Sequence, residues 1–290
     1  MTRSHLTTGQ LATLACVIEV AAPKAGNVRP GAAARAAFAD ADWLDFVASG
    51  MAIGPVMDRA VEAGVGATVL AAVRATQAVT GSNTNLGMIL LLAPLCAVPP
   101  HEAIDTGVAG VLAGLTEVDA PLVYEAIRLA KPGGLGRVAE GDVQQPPTMR
   151  LIDAMRSAAP RDGVARQYAT DFHEVIAEIA PSLPRLVNDG LSLSDAVVHA
   201  HLSLVAHGDT LIGRKCGQAT MLEAGERARA VLDADWPHTA ASRQAFAQLD
   251  QWLRGDGNRR NPGTSADLVT AGLFVALRAG WLGAGQSRKA

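Results

Sequence analysis

In the run Gly163-Val164-Ala165-Arg166-Gln167-Tyr168-Ala169-Thr170-Asp171-Phe172-His173-Glu174-Val175-Ile176-Ala177-Glu178-Ile179, apolar residues recur at steps of three and four. Val164, Tyr168, Phe172, Val175, Ile176 and Ile179 share one face of a helix; Arg166, Asp171, Glu174 and Glu178 lie mostly off it. Pro181 and Pro184 are predicted to end this helix. Outward from it the same signal repeats. Helices are predicted over roughly 7–21, 41–50, 58–79, 86–97, 101–115, 120–130, 147–157, 193–207, 216–232, 239–253 and 265–280, with Gly, Pro and Asn at the junctions. Alanine is abundant, aromatic residues are 4% of the chain, and alternating β-branched runs are missing. The expectation is an all-α fold: one large multi-helix domain, residues 1–290, with layered helix packing. Many glycines and alanines imply close helix–helix approach.

With 49% apolar and 18% charged residues, the 290-residue chain has ordinary globular composition, which excludes a disordered protein. Its formal charge of −3 argues against a general nucleic-acid binder. The three cysteines, Cys16, Cys96 and Cys216, are far apart, which excludes a disulfide framework or zinc ribbon and fits a reducing cytoplasm. No apolar core of a signal peptide occurs in residues 1–10, and the apolar run Met88–Val98 is half the length of a bilayer span, about 20 residues. A cytoplasmic protein with no membrane partner is expected.

P-loop, G-x-S-x-G and H-E-x-x-H motifs are absent, and no strand precedes the glycines at 133, 134 and 136, which disfavours a dinucleotide-binding turn. Four polar clusters at helix junctions remain. The first is Glu19 with Pro23-Lys24-Ala25-Gly26-Asn27-Val28-Arg29. Lys24, Asn27 and Arg29 suit a polyphosphate, or they are cations at the negative end of a helix. The second is Gly81-Ser82-Asn83-Thr84-Asn85-Leu86-Gly87 before an apolar helix. One cap needs one oxygen, so the surplus amides and hydroxyl suit a ribose, base edge or phosphate, or are spare caps.

The third cluster runs from Asp195 through His199, His201 and His207 to Asp209, Arg214 and Lys215. Asp195 and His199 are spaced to pair on one helix face. His199 and His201 diverge on a helix, so a zinc site is disfavoured. Asp209 with Arg214 and Lys215 suits Mg²⁺-phosphate or hydroxyl chemistry, or forms a charged loop. The fourth is Asn261-Pro262-Gly263-Thr264-Ser265-Ala266-Asp267. Thr264 and Asp267 have capping-box spacing, Gly263 permits close approach of a ligand, and Asp267 is a second candidate for Mg²⁺. A weaker group is Lys131, Arg137, Glu140 and Asp142, in a lid or a solvated loop.

In this order and spacing the four clusters resemble the triphosphoribosyl-dephospho-CoA synthase family, through Glu19–Val28, Gly81–Leu95, His199–Gly217 and Pro262–Val269. The resemblance spans nearly the whole chain. It implies an all-α pentosyltransferase with ATP as co-substrate and 3′-dephospho-CoA as acceptor. Such an enzyme forms an α-ribosyl bond to the acceptor 2′-hydroxyl, releases adenine, and so makes a prosthetic-group precursor. Two segments depart from the citrate-type pattern. Pro23-Lys24-Ala25-Gly26-Asn27-Val28-Arg29 stands where P-K-P-G-L-V-D is usual, and Asn83-Thr84-Asn85-Leu86-Gly87 where N-T-H-K-G is usual. The second segment is closer to a divergent branch from archaea and methylotrophic bacteria.

On this resemblance Lys24, Arg29 and Arg214 are expected on the phosphates, with Asn27 beside them. Asn83, Thr84 and Asn85 are expected on ribose or adenine, and Gly263 and Ser265 as donors. Asp209 is the first choice for base or Mg²⁺ ligand, then Asp267 and Glu19, with His201 orienting Asp209. The expected partners are the nucleotide and a small acceptor, with a homodimer admissible. Three rivals stay open: phosphoribosyl transfer to a tetrahydromethanopterin precursor in one-carbon metabolism, a nucleotide N-glycoside hydrolase, and a nucleotide-sensing scaffold.

Overall fold

A computed structural model describes residues 6–30, 41–132, 142–257 and 259–282. Among the described residues there are fifteen α-helices, one π-helical segment and no strand, so the chain is all-α and forms a single helical domain. None of these helices is long and apolar enough to cross a membrane.

Two helices make the centre because they are apolar all round. α5 (Leu86–Ala97) is buried from Met88 to Ala97, and α15 (Gly263–Arg278) is buried at almost every position from Thr264 to Leu277. They pack on each other. On one side lie α1 (Thr8–Ala21), α2 (Trp43–Met57), α3 (Ala60–Ala63), α4 (Val65–Thr80), α6 (Ile104–Ala113) and α7 (Asp119–Ala130). The other side holds α8 (Leu151–Ala158), α9 (Gly163–Ala169), the π-helical segment Glu174–Ile179, α10 (Ala180–Asn188) and α11 (Leu193–His207). Outside α11 stand α12 (Thr210–Cys216), α13 (Gln218–Asp233) and α14 (Ala240–Arg254).

The 163–179 run is helical and faces the core as its period demands, but it is not one helix. Asp171 and Phe172 have φ of 50° and 61°, which stops α9; a π-helical segment then restarts the chain. The chain next passes through both prolines into α10, with Pro181 in its first turn, where its missing N–H costs little, and Pro184 inside. Tyr168 shows why the periodic residues still converge. Pro94 inside α5 cannot bond back to the Leu90 carbonyl, and the Tyr168 hydroxyl donates to that oxygen at 2.6 Å. Phe172, wholly buried, has its ring 5.6 Å from that of Tyr168.

Other boundaries moved for local reasons. The segment predicted as 58–79 is divided at Gly64 (φ 79°). α2 runs on to Met57 through Pro55, because Gly50 and Gly54 let it lie against α1. The charged stretch after Gly208 is the short helix α12, begun by Asp209. Asp195 and His199 do not pair: Asp195 accepts from Ser192 Oγ at 2.6 Å, and His199 lies against Ser203. Arg278, at the end of α15, donates to the carbonyls of Leu95 (3.1 Å) and Pro99 (2.7 Å), tying the C-terminal ends of α5 and α15 together.

The α1–α2 contact rests on glycine. A Cβ on Gly9 would overlap the Gly54 carbonyl oxygen, while the Gly9 N–H donates to Asp58 Oδ1 at 2.7 Å. Gly9→Ala is therefore expected to destabilise the fold by about 1–3 kcal/mol, read as a lower midpoint in urea denaturation.

Candidate active site

The first cluster is a turn held from three directions. α1 ends at Ala21, and the Lys24 ammonium folds back over that end. It donates to the carbonyls of Glu19 and Ala22 and forms an ion pair with Glu19 Oε1 at 2.9 Å. All three of its donors are used, and both side chains are buried. Burial raises the Glu19 carboxyl above its ordinary range, while Lys24 opposes the rise. Gly26 (φ 74°) donates its N–H to Asp250 Oδ1 at 2.8 Å, and Arg254 donates to the Asn27 carbonyl at 2.6 Å. Arg29 pairs with Asp250 at 3.4 Å.

Asn27 Nδ2 stands 3.0 Å from His201 Nε2. Burial, reinforced by Lys24, lowers the pKa of His201 to about 3 against a smaller opposing effect of the Pro262 backbone. The ring is neutral and accepts from Asn27, which ties the first cluster to α11. Asp209 is engaged elsewhere. Its Oδ1 accepts from the N–H groups of Leu211 (2.9 Å) and Ile212 (3.0 Å), capping α12. Its Oδ2 accepts from Ser265 N (2.7 Å) and Ser265 Oγ (2.8 Å). Burial raises this carboxyl, and those four bonds hold it down. Asp209 and Ser265 thus fasten α12 to α15.

The capping box expected at Thr264 and Asp267 does not form; α15 begins at Gly263, and Pro262 before it gives no side-chain cap. Thr264 Oγ1 accepts from Thr210 Oγ1 at 3.2 Å, and Thr210 Oγ1 accepts from Gly163 N at 3.0 Å, so three helix starts meet there. Asp162 caps α9 through Oδ1 and pairs with Arg214 through Oδ2 at 2.7 Å.

In the second cluster Asn83, not the N-cap Asn85, accepts from the Leu86 N–H at 3.2 Å. Thr84 bonds Ser49 of α2. Asn85 Oδ1 accepts from Thr76 Oγ1 of α4 at 3.0 Å. Gly87, in the first turn of α5, lies directly against Asp267: a Cβ there would overlap the carboxylate. The Asp267 carboxylate takes no hydrogen bond or ion pair from the described residues. Burial raises its pKa well above the ordinary carboxylate range, Glu19, Asp209 and Asp162 raise it further, and Arg214 opposes them.

These pieces surround one cavity of about 1020 Å³. The N-terminal ends of α5 and α15 open on it, and α9 and α12, capped by Asp162 and Asp209, border it. Glu19, Lys24, Asn27 and Asp267 form part of its wall. Asn83, Thr84, Asn85, Arg214 and Gly263 form more of it. Asp209, His201 and Ser265 stand behind the wall, and Arg29 lies aside on Asp250. Lys131 and Asp142 reach the rim; Arg137 and Glu140 lie outside the described residues. Val123, Tyr124, Ile127, Leu151 and Met155 belong to the largely apolar part of its lining.

The model of the CitG family, described as ATP:dephospho-CoA triphosphoribosyl transferase, matches residues 5–285. The chain belongs to this transferase family. A solved structure from Archaeoglobus fulgidus, provisionally described as a triphosphoribosyl-dephospho-CoA synthase, is similar at 25% identity and a TM-score of 0.62. The match covers 81% of this chain and 100% of that one. No curated protein sequence matches.

Sequence reasoning missed several residues that build the transferase's cavity. Asp250 and Arg254 hold the first cluster from a helix more than 200 positions away, and nothing in their i, i+4 spacing points there. Neither the cap that Asp162 gives α9 nor its pairing with Arg214 was read from the sequence. Gly87 carried no signal except its place after Asn85. Gly87→Ala is expected to displace the Asp267 carboxylate and cost about 10²-fold in turnover, as a displacement of about 1 Å can. The check is steady-state kinetics alongside a melting curve that stays near wild type.

Proposed function

We propose that the cavity transfers the triphosphoribosyl group of ATP to the 2′-hydroxyl of 3′-dephospho-CoA and releases adenine. The observation that carries this reading is the carboxylate of Asp267, unpartnered among the described residues, where the N-termini of α5 and α15 open on one cavity. Helix N-termini favour the anionic polyphosphate. An anionic group beside the ribose favours the positive charge that develops at C1′. The volume stands at the upper end of single-ligand sites, about 300–1,000 Å³, which suits a donor nucleotide together with part of an acceptor.

In the proposed step the bond from C1′ to the adenine N9 breaks and a bond from C1′ to the acceptor O2′ forms. The hydroxyl proton goes to Asp267, and adenine leaves with the electron pair of the broken bond and takes a proton from water; Asp267 returns its own proton to solvent, so none is gained or lost overall. A carboxyl of raised pKa is a stronger base than an ordinary one. Lys24, Arg29 and Arg214 are each paired with a carboxylate. The phosphates are therefore assigned to the helix ends of α5 and α15, to the Nε of Arg214, buried and unpartnered among the described residues, and to the further cations on the cavity wall, Lys131, Arg161 and Lys215. Asp209 and Ser265 serve as positioning residues.

Mg²⁺ fits this donor set as an ion brought in by the phosphates. Such ions need one or two protein carboxylates, and no three His, Cys, Asp or Glu side chains converge among the described residues. Asp209, with both oxygens filled, does not fit as a ligand; Asp267 does. The ion would offset phosphate charge.

The test is incubation with ATP, Mg²⁺ and dephospho-CoA while following adenine and product mass. Adenine should appear in step with triphosphoribosyl-dephospho-CoA. Equal release without acceptor would replace the proposal by hydrolysis. Release only with a tetrahydromethanopterin precursor would change the acceptor.

A further inference from the structure

α7 and α8 each turn one face to the cavity. Val123, Ile127 and Ala130 of α7 line it at i, i+4 and i+7, and Leu151, Met155 and Ala158 of α8 line it at the same spacing. Each face runs for two helical turns, about 10 Å. Arg150 ties the start of α8 to the Leu115 carbonyl, just before α7. Beyond the other end of α8 the chain reaches Asp162, which pairs with Arg214. The apolar strip therefore starts beside the polar wall and leads away from it along α8. The triphosphate and ribose of ATP gain nothing from such a strip, because they favour the cations and helix ends already described.

Donor and acceptor are hard to tell apart by their nucleotides. ATP and 3′-dephospho-CoA both contain adenosine 5′-diphosphate, and ATP carries a 2′-hydroxyl of its own. A site that recognised the acceptor by its nucleotide would also take a second ATP there. What the acceptor has and ATP lacks is the pantetheine arm, a slender chain of methylenes, two methyl groups and two amides. A chain can follow two helical turns, whereas a purine is compact and needs polar partners round its edge. We infer that the strip on α7 and α8 takes the pantetheine arm and so distinguishes acceptor from donor. The methyl and methylene groups lie on the strip, and the amides turn to the open cavity. The inference rests on the proposed transfer and deepens it, by assigning the choice of acceptor to named residues.

Two ligands read the strip without any transfer: dephospho-CoA, and 4′-phosphopantetheine, which has the arm but no nucleoside. Their dissociation constants and that of ATP are measured one ligand at a time, by calorimetry with Mg²⁺, on wild type, Ala154→Leu and Met155→Ala. Ala154 is half-buried and lines the cavity next to Met155, so leucine, a strong helix former, fills the strip there. Met155→Ala acts in the opposite sense and removes contact. 4′-Phosphopantetheine should bind wild type and compete with dephospho-CoA. Each variant should weaken both arm-bearing ligands about tenfold or more, the loss expected for a few methylene contacts, and leave ATP within about twofold. General distortion of the site would weaken ATP as well. No binding of 4′-phosphopantetheine to wild type, unchanged constants for the arm-bearing ligands in the two variants, or a loss for ATP equal to that for dephospho-CoA overturns the inference. The proposed transfer fails separately, through absence of adenine release with dephospho-CoA.

Discussion

At neutral pH, Asp267→Asn is expected to lower turnover about 10²–10⁴-fold, the range for loss of a general base, and at the same time to raise the melting temperature. Both effects have one cause. Asp267 has no partner among the described residues, and its carboxyl is raised by burial and by the negative charges of Glu19, Asp209 and Asp162. Between its ordinary pKa and the raised one, the folded state binds a proton that the unfolded state has lost. Stability therefore falls as pH rises through that window. Asparagine carries no charge and escapes the penalty, at about 2–4 °C for each kcal/mol relieved in a large domain. The difference in melting temperature should be small below the ordinary carboxylate range and grow as pH rises. Turnover of the wild type should run the other way, rising with pH as Asp267 ionises. Near-wild-type turnover, or a melting difference independent of pH, would remove Asp267 from the chemistry.

Lys24→Met is expected to cost about 3–5 kcal/mol of stability, the range for breaking a buried ion pair from one side. Lys24 is 1% exposed and bound to three oxygens, one of them the carboxylate of Glu19. Without the ammonium, nothing opposes the burial that raises Glu19, and its charge is stranded. The second variant Glu19→Gln/Lys24→Met removes that charge and should recover most of the loss. Urea titration of both decides it. A cost below about 1 kcal/mol for Lys24→Met would mean that the pair is not structural.

Much of this was legible along the chain. The three- and four-residue spacing from Val164 to Ile179 made the segment helical and chose its buried face, because side-chain direction follows backbone period. The break at Asp171 was not legible, since φ there depends on what packs around Tyr168 and Phe172. The junction clusters pointed to the cavity wall at Lys24, Asn83 and Asp267, because polar groups concentrated between apolar helices need a common solvent or ligand. Asp209 shows where such reading stops. Its sequence neighbours, Arg214 and Lys215, suggest phosphate chemistry. Its bonds go instead to Leu211, Ile212 and Ser265.

By itself the sequence determined the class of the molecule: all helix, apolar at α5 and α15, with polar residues kept for the junctions. Those are properties of local period and composition, which act within a few residues. Which carboxylate stays unpartnered, which cations are neutralised and which amide faces the cavity were decided only by the tertiary structure. Each depends on a partner far off in the chain — Gly87 for Asp267, Asp250 for Arg29, His201 for Asn27 — and a charge or hydrogen bond takes its value from the burial and neighbours that packing supplies.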